Sequence, residues 1–174
     1  IDTLNYGAAA QTYFDRRTDS LVNAGLDAYQ QYATKELTAE LTASKVVLEN
    51  TNSGLVSKLG FSVSFADRTE LNAKLTLAEA AEITAVKVTD AEGNTVATLT
   101  EFTELSDGKL QVTYSGIKAT QMRQMFYFTA YAGEEVAGAT YGYSVEAYAR
   151  EAVAAGLPGL TDLARACMYY GDSA

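Results

Sequence analysis

The sequence predicts a mostly β protein with flanking α-helices: an immunoglobulin-like antiparallel β-sandwich with short helices at the N- and C-termini. Three observations lead to this prediction. Hydrophobic residues recur with a period of two through the middle of the chain, both ends have helical spacing, and turn-forming residues separate the alternating runs. Short strands at regular spacing, with no helical patterns between them, are typical of an antiparallel sandwich.

Residues 1–35 are predicted to be helical, because they are rich in Ala and Gln and poor in β-branched residues. Leu4 and Ala8 fit the apolar face of a first helix. Thr18 followed by Asp19 has the pattern of an N-cap and an acidic first turn, which predicts a second helix from this point.

Residues 36–143 are predicted to form the sandwich, with seven or eight strands. Asp107-Gly108 and Gly133 are turn signals between strands. The apolar residues that alternate with polar or small ones are Leu59, Phe61, Val63 and Phe65, then Leu71, Ala73, Leu75 and Leu77, then Val86 and Val88, then Leu110, Val112 and Tyr114, and finally Phe126, Phe128 and Ala130.

Residues 144–174 return to helical spacing. Ser144 is a candidate N-cap for a helix that Gly156 and Pro158 terminate, and Thr161 begins a last helix. The three segments together are expected to form one compact module.

The charge balance argues against a nucleic-acid partner, and the length of the apolar runs argues against membrane insertion. The chain has 22 acidic and 13 basic residues, a net charge of −9. Nucleic-acid binding depends on clustered cations that neutralise phosphates, so we expect no nucleic-acid partner. No apolar run has the length needed to cross a bilayer, so no membrane insertion is expected within this sequence.

Enzymatic activity is not expected. The chain has no His, which excludes Ser–His and Cys–His nucleophile pairs. Cys167 lies in an apolar helical pattern, where a small buried side chain is the expected role. Acidic pairs could act in glycoside hydrolysis, but acidic residues in turns are normally just solvated. These pairs are Glu134 with Glu135, Glu79 with Glu82, and Glu101 with Glu104.

Asp90, Glu92 and Asn94 are a weak calcium candidate, since they place three oxygen-bearing side chains at alternate positions. No carboxylate follows at the place where a complete loop would need one. We therefore prefer a β-turn in which Gly93 and Asn94 take positive φ, and we expect neither a metal nor a cofactor.

Lys74 and Asn72 are the candidate pair for a cross-linking isopeptide bond between Lys and Asn. Such a bond requires both side chains to be buried together. Strand alternation instead places Lys74 and Asn72 on the outward face, which argues against the bond.

Tyrosines provide the candidate binding surface. The chain has 12 Tyr and no Trp. If Phe126 and Phe128 point inward, Tyr127 and Tyr131 face solvent and form a patch with Tyr114 or Tyr141. Tyr suits contact surfaces because it is large, rigid and polar at its tip. The alternative is that these rings pack where helices meet the sandwich.

The two ends of the chain resemble each other. Met168 to Ala174 matches Leu4 to Ala10 at the Tyr, the Gly and the final Ala. We interpret this match as a tandem repeat, in which the closing helix of one module is also the opening helix of the next. On this interpretation the sequence is a piece of a longer protein.

Three segments carry a resemblance to a known family: Leu4–Phe14 (LNYGAAAQTYF), Tyr143–Tyr148 (YSVEAY) and Ile117–Ala119 (IKA). They resemble recurrent segments of large tandem-repeat cell-surface proteins of gut Firmicutes (Clostridia). The resemblance implies secretion, attachment to the cell wall and an extracellular location. It supplies neither a catalytic residue nor a ligand.

Three functions remain open from the sequence. The first is a binding module that contacts a host protein, for example an immunoglobulin or a mucin. The second is a structural spacer that stacks against a neighbouring repeat module. The third is a carbohydrate-binding module for a glycan, which the absence of Trp disfavours.

Overall fold

The computed structural model describes residues 1–26, 41–65 and 67–174. The chain divides into two compact units. A helical unit comprises Ile1–Ser44, Ala119–Arg123 and Glu146–Ala174, and a β unit comprises Lys45–Lys118 and Gln124–Val145. The helical unit therefore draws on both ends of the chain and on one short internal segment.

The β unit contains two antiparallel sheets. The strands are β1 (Val46–Leu48), β2 (Val56–Ser64), β3 (Glu70–Leu77), β4 (Ala85–Thr89), β5 (Thr95–Leu99), β6 (Thr103–Glu104), β7 (Leu110–Tyr114), β8 (Phe126–Ala132), β9 (Glu135–Val136) and β10 (Thr140–Tyr143). Sheet A has the strand order β1-β10-β8-β4-β5, with β9 also paired to β8, and sheet B has the order β2-β3-β7-β6. The prediction of a mostly β, sandwich-like fold with antiparallel sheets and flanking helices is confirmed.

The strands follow the alternation of the sequence. In β3, Leu71, Ala73 and Leu75 are fully buried, and Lys74 between them is half-buried on the opposite face. Aromatic rings join the inner faces of the two sheets. Phe61 of β2 lies edge-on to Phe128 of β8, with ring centroids 5.2 Å apart.

Two further aromatic contacts extend this core. Phe61 also stacks on Tyr143 of β10 at 4.6 Å, and Tyr114 of β7 lies edge-on to Phe126 of β8 at 5.1 Å. Offset-stacked and edge-on pairs stabilise a core by about 0.5–1.5 kcal/mol beyond the area that they bury. The apolar core of the β unit therefore lies between its two sheets.

A polar network crosses three strands on the outer face of sheet B. Asn72 donates from Nδ2 to Ser64 Oγ at 2.8 Å, and its Oδ1 accepts from Thr113 Oγ1 at 2.7 Å. Although Asn72 is 7% exposed, both ends of its amide are hydrogen-bonded. The network therefore carries little desolvation penalty.

The helical unit is built around α1 (Asp2–Tyr13), a 3₁₀ helix (Ala119–Gln121), α2 (Val145–Ala155) and α3 (Leu160–Ser173). The two predicted C-terminal helices are thus present. The last one begins one residue before Thr161.

Helix α1 packs against α3 within the helical unit. Tyr6 of α1 stacks on Tyr170 of α3 with ring centroids 5.6 Å apart and planes at 4°. Burial raises the pKa of Tyr6 above its ordinary value. The helix pair therefore meets through aromatic rings that the sequence match had placed in equivalent positions.

No helix begins at Thr18; the described residues after α1 form turns instead. The side chain of Gln11 explains part of this, because Nε2 donates to Ser20 O at 3.2 Å and Oε1 accepts from Val22 N at 2.9 Å. These bonds satisfy backbone groups that a helix would pair internally. The rest of the predicted second helix lies outside the described residues.

An ion-pair cluster links the short internal segment of the helical unit to α2 and α3. Arg123 donates from Nη1 to Glu146 Oε1 at 2.8 Å. It also donates from Nε and Nη2 to the two carboxylate oxygens of Asp172 at 2.7 and 2.8 Å. The hydrogen bonds to Asp172, and then both carboxylate charges, raise the pKa of Arg123. The fork of one guanidinium thus joins the start of α2 to the end of α3.

Candidate binding face

The outer face of sheet A contains the two tyrosines that the sequence singled out. Strand β8 pairs with β4, β9 and β10, so it is not an edge strand. Phe126 and Phe128 are buried in the core, while Tyr127 and Tyr131 are half-buried on the opposite face. The predicted orientation of these four side chains is confirmed, and the backbone beneath the tyrosines is fixed by hydrogen bonds on both sides.

Tyr127 lies over a glycine of the neighbouring strand. Gly142 of β10 is its register partner. A Cβ built at Gly142 would lie 2.8 Å from Tyr127 Cε1 and 3.3 Å from Met125 Sδ. The ring therefore occupies the space that a side chain at position 142 would fill. This close approach is possible only because position 142 has no side chain.

The ring of Tyr131 lies beneath the ammonium group of a lysine. Lys87 Nζ lies 4.4 Å from the centroid of the Tyr131 ring. Lys87 is on β4, where it pairs in register with Thr129 of β8. An ammonium over an aromatic face is attracted by about 0.5–1 kcal/mol at an exposed site. Lys87 therefore favours one position of the Tyr131 ring and adds a positive charge beside it.

Two threonines lie between the tyrosines. Thr129 Oγ1 and Thr140 Oγ1 are 2.7 Å apart and share a hydrogen bond. Thr140 Oγ1 also accepts a hydrogen bond from Asn50 Nδ2 at 3.1 Å. We define the aromatic face of sheet A as Lys87, Tyr127, Thr129, Tyr131, Thr140 and Gly142.

The other two predicted binding tyrosines do not lie on the aromatic face. Tyr114 is on β7 of sheet B, is 8% exposed and packs inward on Phe126; burial raises its pKa. Tyr141 of β10 is 7% exposed, with Lys45 Nζ 5.9 Å from its ring centroid. Tyr114 alternates with the outward-facing Thr113, and Tyr141 alternates with the outward-facing Gly142, so both rings point toward the core. The structure therefore groups Tyr127 with Tyr131 and separates them from Tyr114 and Tyr141.

The Asp90 segment forms a tight turn between β4 and β5. Oδ1 of Asp90 accepts from the backbone N of Glu92 at 3.1 Å and of Asn94 at 2.8 Å, and Oδ2 accepts from Asn94 Nδ2 at 3.0 Å. Gly93 has φ +85°, as expected for the turn, but the expectation of positive φ at Asn94 is wrong. The Asp90 carboxylate, the first candidate calcium ligand, is therefore already hydrogen-bonded to the Asn94 side chain and to backbone N–H groups of its own turn.

The acidic pairs considered for catalysis are exposed on the surface: Glu79, Glu82, Glu101, Glu104, Glu134 and Glu135. Within the described parts of the chain, no three His, Cys, Asp or Glu residues are grouped in a way that could hold a metal ion.

Cys167 is buried, as predicted. Its Sγ lies 3.4 Å from Met122 Sδ inside the helical unit, and it forms no disulfide. Burial raises the pKa of the thiol to about 12, which disfavours the nucleophilic thiolate.

Comparison with known proteins gives no match to any family model, curated protein or solved structure. Among the described residues, no helix is both long and apolar enough to cross a membrane.

Proposed function

We propose that the chain is a non-catalytic binding module with an immunoglobulin-like sandwich. In this proposal it belongs to a secreted or wall-anchored bacterial surface protein and contacts a host protein, such as an immunoglobulin or a mucin, through the aromatic face. The seating of Tyr127 on Gly142 is the observation that carries the proposal. A ring that is already held in place loses little conformational freedom on binding.

The composition of the aromatic face supports a protein partner. Interface hot spots are enriched in Tyr and sit on rigid backbone, with polar groups around them. Tyr127 and Tyr131 are four residues apart on one strand, so their Cα atoms are separated by about 13 Å. Thr129 and Lys87 between and beside them supply a hydroxyl and a cation. This spacing spans the centre of a small protein interface.

Purified immunoglobulin and purified mucin, titrated over the immobilised protein, test the proposal. We expect one of them to bind, and we expect Tyr127→Ala/Tyr131→Ala to weaken the affinity by about 30-fold or more, since a hot-spot residue contributes about 2 kcal/mol. Val47→Ala/Val96→Ala is the matched control, because both valines are exposed on the edge strands of the same sheet at 46% and 42%.

Tyr127→Phe/Tyr131→Phe distinguishes the rings from their hydroxyl groups. Affinity that survives this change depends on ring contact, and affinity that is lost depends on the phenol oxygens. Failure of both purified proteins to bind the folded wild type, or an equal loss in the valine control, would reject the aromatic face as the contact surface.

A spacer function is the second candidate, and the Tyr6–Tyr170 stack favours it. The two helices that the sequence match makes equivalent pack on each other within one module. In a tandem array with a shared helix, the tyrosine of that helix would stack one face of its ring on its own module and the other face on the next module. A two-module chain in which the shared Tyr170 is changed to Ala should unfold in two separate steps, whereas the wild-type two-module chain should unfold in one.

A further inference from the structure

The outer face of sheet B has a small depression bounded by lysines. Its volume is about 190 Å³. We call it the lysine depression and define it by its lining residues, Lys58, Gly60, Lys74, Thr76 and Lys109. These residues come from β2, from β3 and from the turn before β7, so only the pairing of the strands brings them together.

The register of sheet B explains the arrangement. Lys58 of β2 is opposite Thr76 of β3, and Gly60 is opposite Lys74. The two lysines therefore lie diagonally across the strand pair on the same face. Gly60 leaves the floor open, because a Cβ built there would have no heavy atom within 4 Å. The depression thus exists because position 60 has no side chain.

The charges of the lysine depression are only partly neutralised. Lys109 forms an ion pair with Asp107. Neither Lys58 nor Lys74 has an ion-pair partner among the residues that the structure describes. The chain as a whole carries a net charge of −9. A concentrated positive site on an acidic protein attracts anions locally while the remaining surface repels them.

The surrounding face indicates what kind of anion fits. Apart from Gly60, every outward position on the three longest strands of sheet B has a polar or charged side chain. These residues are Lys58, Ser62, Ser64, Glu70, Asn72, Lys74, Thr76, Gln111 and Thr113. The centres of protein interfaces are apolar and depleted in Lys and Ser, so this face is unlike one. A hydrated, charged polymer with many hydroxyl groups matches it better.

We propose that the lysine depression binds the carboxylate or sulfate groups of an acidic polysaccharide. Lys58 and Lys74 supply ammonium groups to the anion, Thr76 supplies a hydroxyl group, and the open floor at Gly60 admits the anionic group. The neighbouring Ser and Thr side chains meet the sugar hydroxyls. This site is on the opposite sheet from the aromatic face, so the two proposed binding activities can be tested and rejected separately.

Affinity electrophoresis of the full chain tests this proposal. Native gels contain polygalacturonate as the carboxylated polymer, dextran sulfate as the sulfated polymer, or uncharged dextran. We expect at least one polyanion to retard the protein, dextran not to, and added salt to reverse the retardation because salt screens the exposed charges. The polymer that retards the protein identifies which anionic group the site takes.

Two variants assign the binding to the lysine depression. Lys58→Gln/Lys74→Gln should weaken the affinity by about tenfold or more. Lys45→Gln/Arg68→Gln removes the same amount of charge from exposed positions elsewhere on the β unit and should bind like wild type. Gly60→Phe fills the depression and keeps every lysine, and it should abolish the retardation.

Three results would overturn the proposal. The first is a wild-type protein that neither polyanion retards at low salt. The second is an equal loss of affinity in the two charge-matched variants, which would indicate attraction to general surface charge. The third is a Gly60→Phe variant that binds the polyanion as tightly as the wild type does. Circular dichroism of each variant confirms that it is folded before its affinity is interpreted.

Discussion

The ring of Tyr127 lies where a side chain of Gly142 would be: a Cβ at position 142 would be 2.8 Å from Tyr127 Cε1. The contact joins β8 to β10 on the outer face of sheet A. Because Gly142 has no side chain, the Tyr127 ring packs directly on the backbone of β10 and is held there. Both the stability of this sheet and the shape of the aromatic face therefore depend on Gly142.

We expect Gly142→Ala to destabilise the protein by about 1–3 kcal/mol, because the added methyl group forces the ring and the Met125 side chain to move. Gly60→Ala is the matched control on sheet B, where an added Cβ has no neighbour within 4 Å. We expect the control to be neutral or slightly stabilising, since Gly inside a strand costs about 0.5–1 kcal/mol relative to Ala. Urea denaturation of both variants measures the difference. Equal stability of the two would mean that the Tyr127 ring is not held by Gly142.

The Arg123 cluster should stabilise the helical unit. Arg123→Met leaves Glu146, 7% exposed, without the guanidinium that neutralises it. Removing one partner of a fully buried pair costs about 3–5 kcal/mol; because the Arg123 side chain is 34% exposed, we expect about 1–3 kcal/mol.

Arg150→Met is the control for the Arg123 variant, because Arg150 is exposed and its one hydrogen bond to another described residue is a long one, 3.4 Å to Ala43 O. Thermal unfolding followed by circular dichroism compares the two. Arg123→Met/Glu146→Gln should recover part of the loss, since the neutral amide no longer needs a cation. A double variant no more stable than Arg123→Met would show that charge pairing is not the stabilising interaction.

Cys167 should be unreactive in the folded protein. Burial raises the pKa of its thiol to about 12, so little of the nucleophilic thiolate is present at mildly alkaline pH. Ellman's reagent should therefore modify Cys167 slowly in buffer and at once in urea. Rapid modification of the native protein would indicate that α3 opens frequently.

The turn at Asp90 should titrate at low pH. The side-chain hydrogen bond from Asn94, with help from backbone N–H groups, lowers the pKa of Asp90 below 3.8. Because the folded-state pKa is the lower one, the stabilisation is present above the unfolded value and is lost as pH falls through the folded value. NMR titration should show the Asp90 pKa rising toward 3.8 in Asn94→Ala. An unchanged value would assign the shift to the backbone donors alone.

Alternation in the sequence was enough to predict which face each residue of β8 occupies. Period two separates Phe126 and Phe128 from Tyr127 and Tyr131, because successive side chains in a strand point to opposite faces. The same rule, applied to β7 and β10, would have placed Tyr114 and Tyr141 inward beside their outward neighbours. The prediction that Tyr114 or Tyr141 joins the patch was therefore wrong, although the period of two was correct on β8.

Neighbours across strands could not be predicted, since pairing is set by long-range contacts. Lys87 reaches Tyr131 only because β4 pairs with β8, and Gly142 lies beneath Tyr127 only because β10 pairs with the same strand. Nothing in the sequence indicates that Lys58 and Lys74 are neighbours on one surface. Strand pairing makes them walls of one depression.

The amide of Asn72 bonds to Ser64 on one side and to Thr113 on the other. If β3 slipped by one residue, Asn72 would turn into the apolar interior and lose both partners, while its leucine neighbour would turn outward. The network therefore selects one alignment of three strands against its nearest competitors. Because none of its groups carries a charge, neither acid nor salt should weaken that selection, and sheet B should keep its alignment in surroundings of changing acidity and ionic strength.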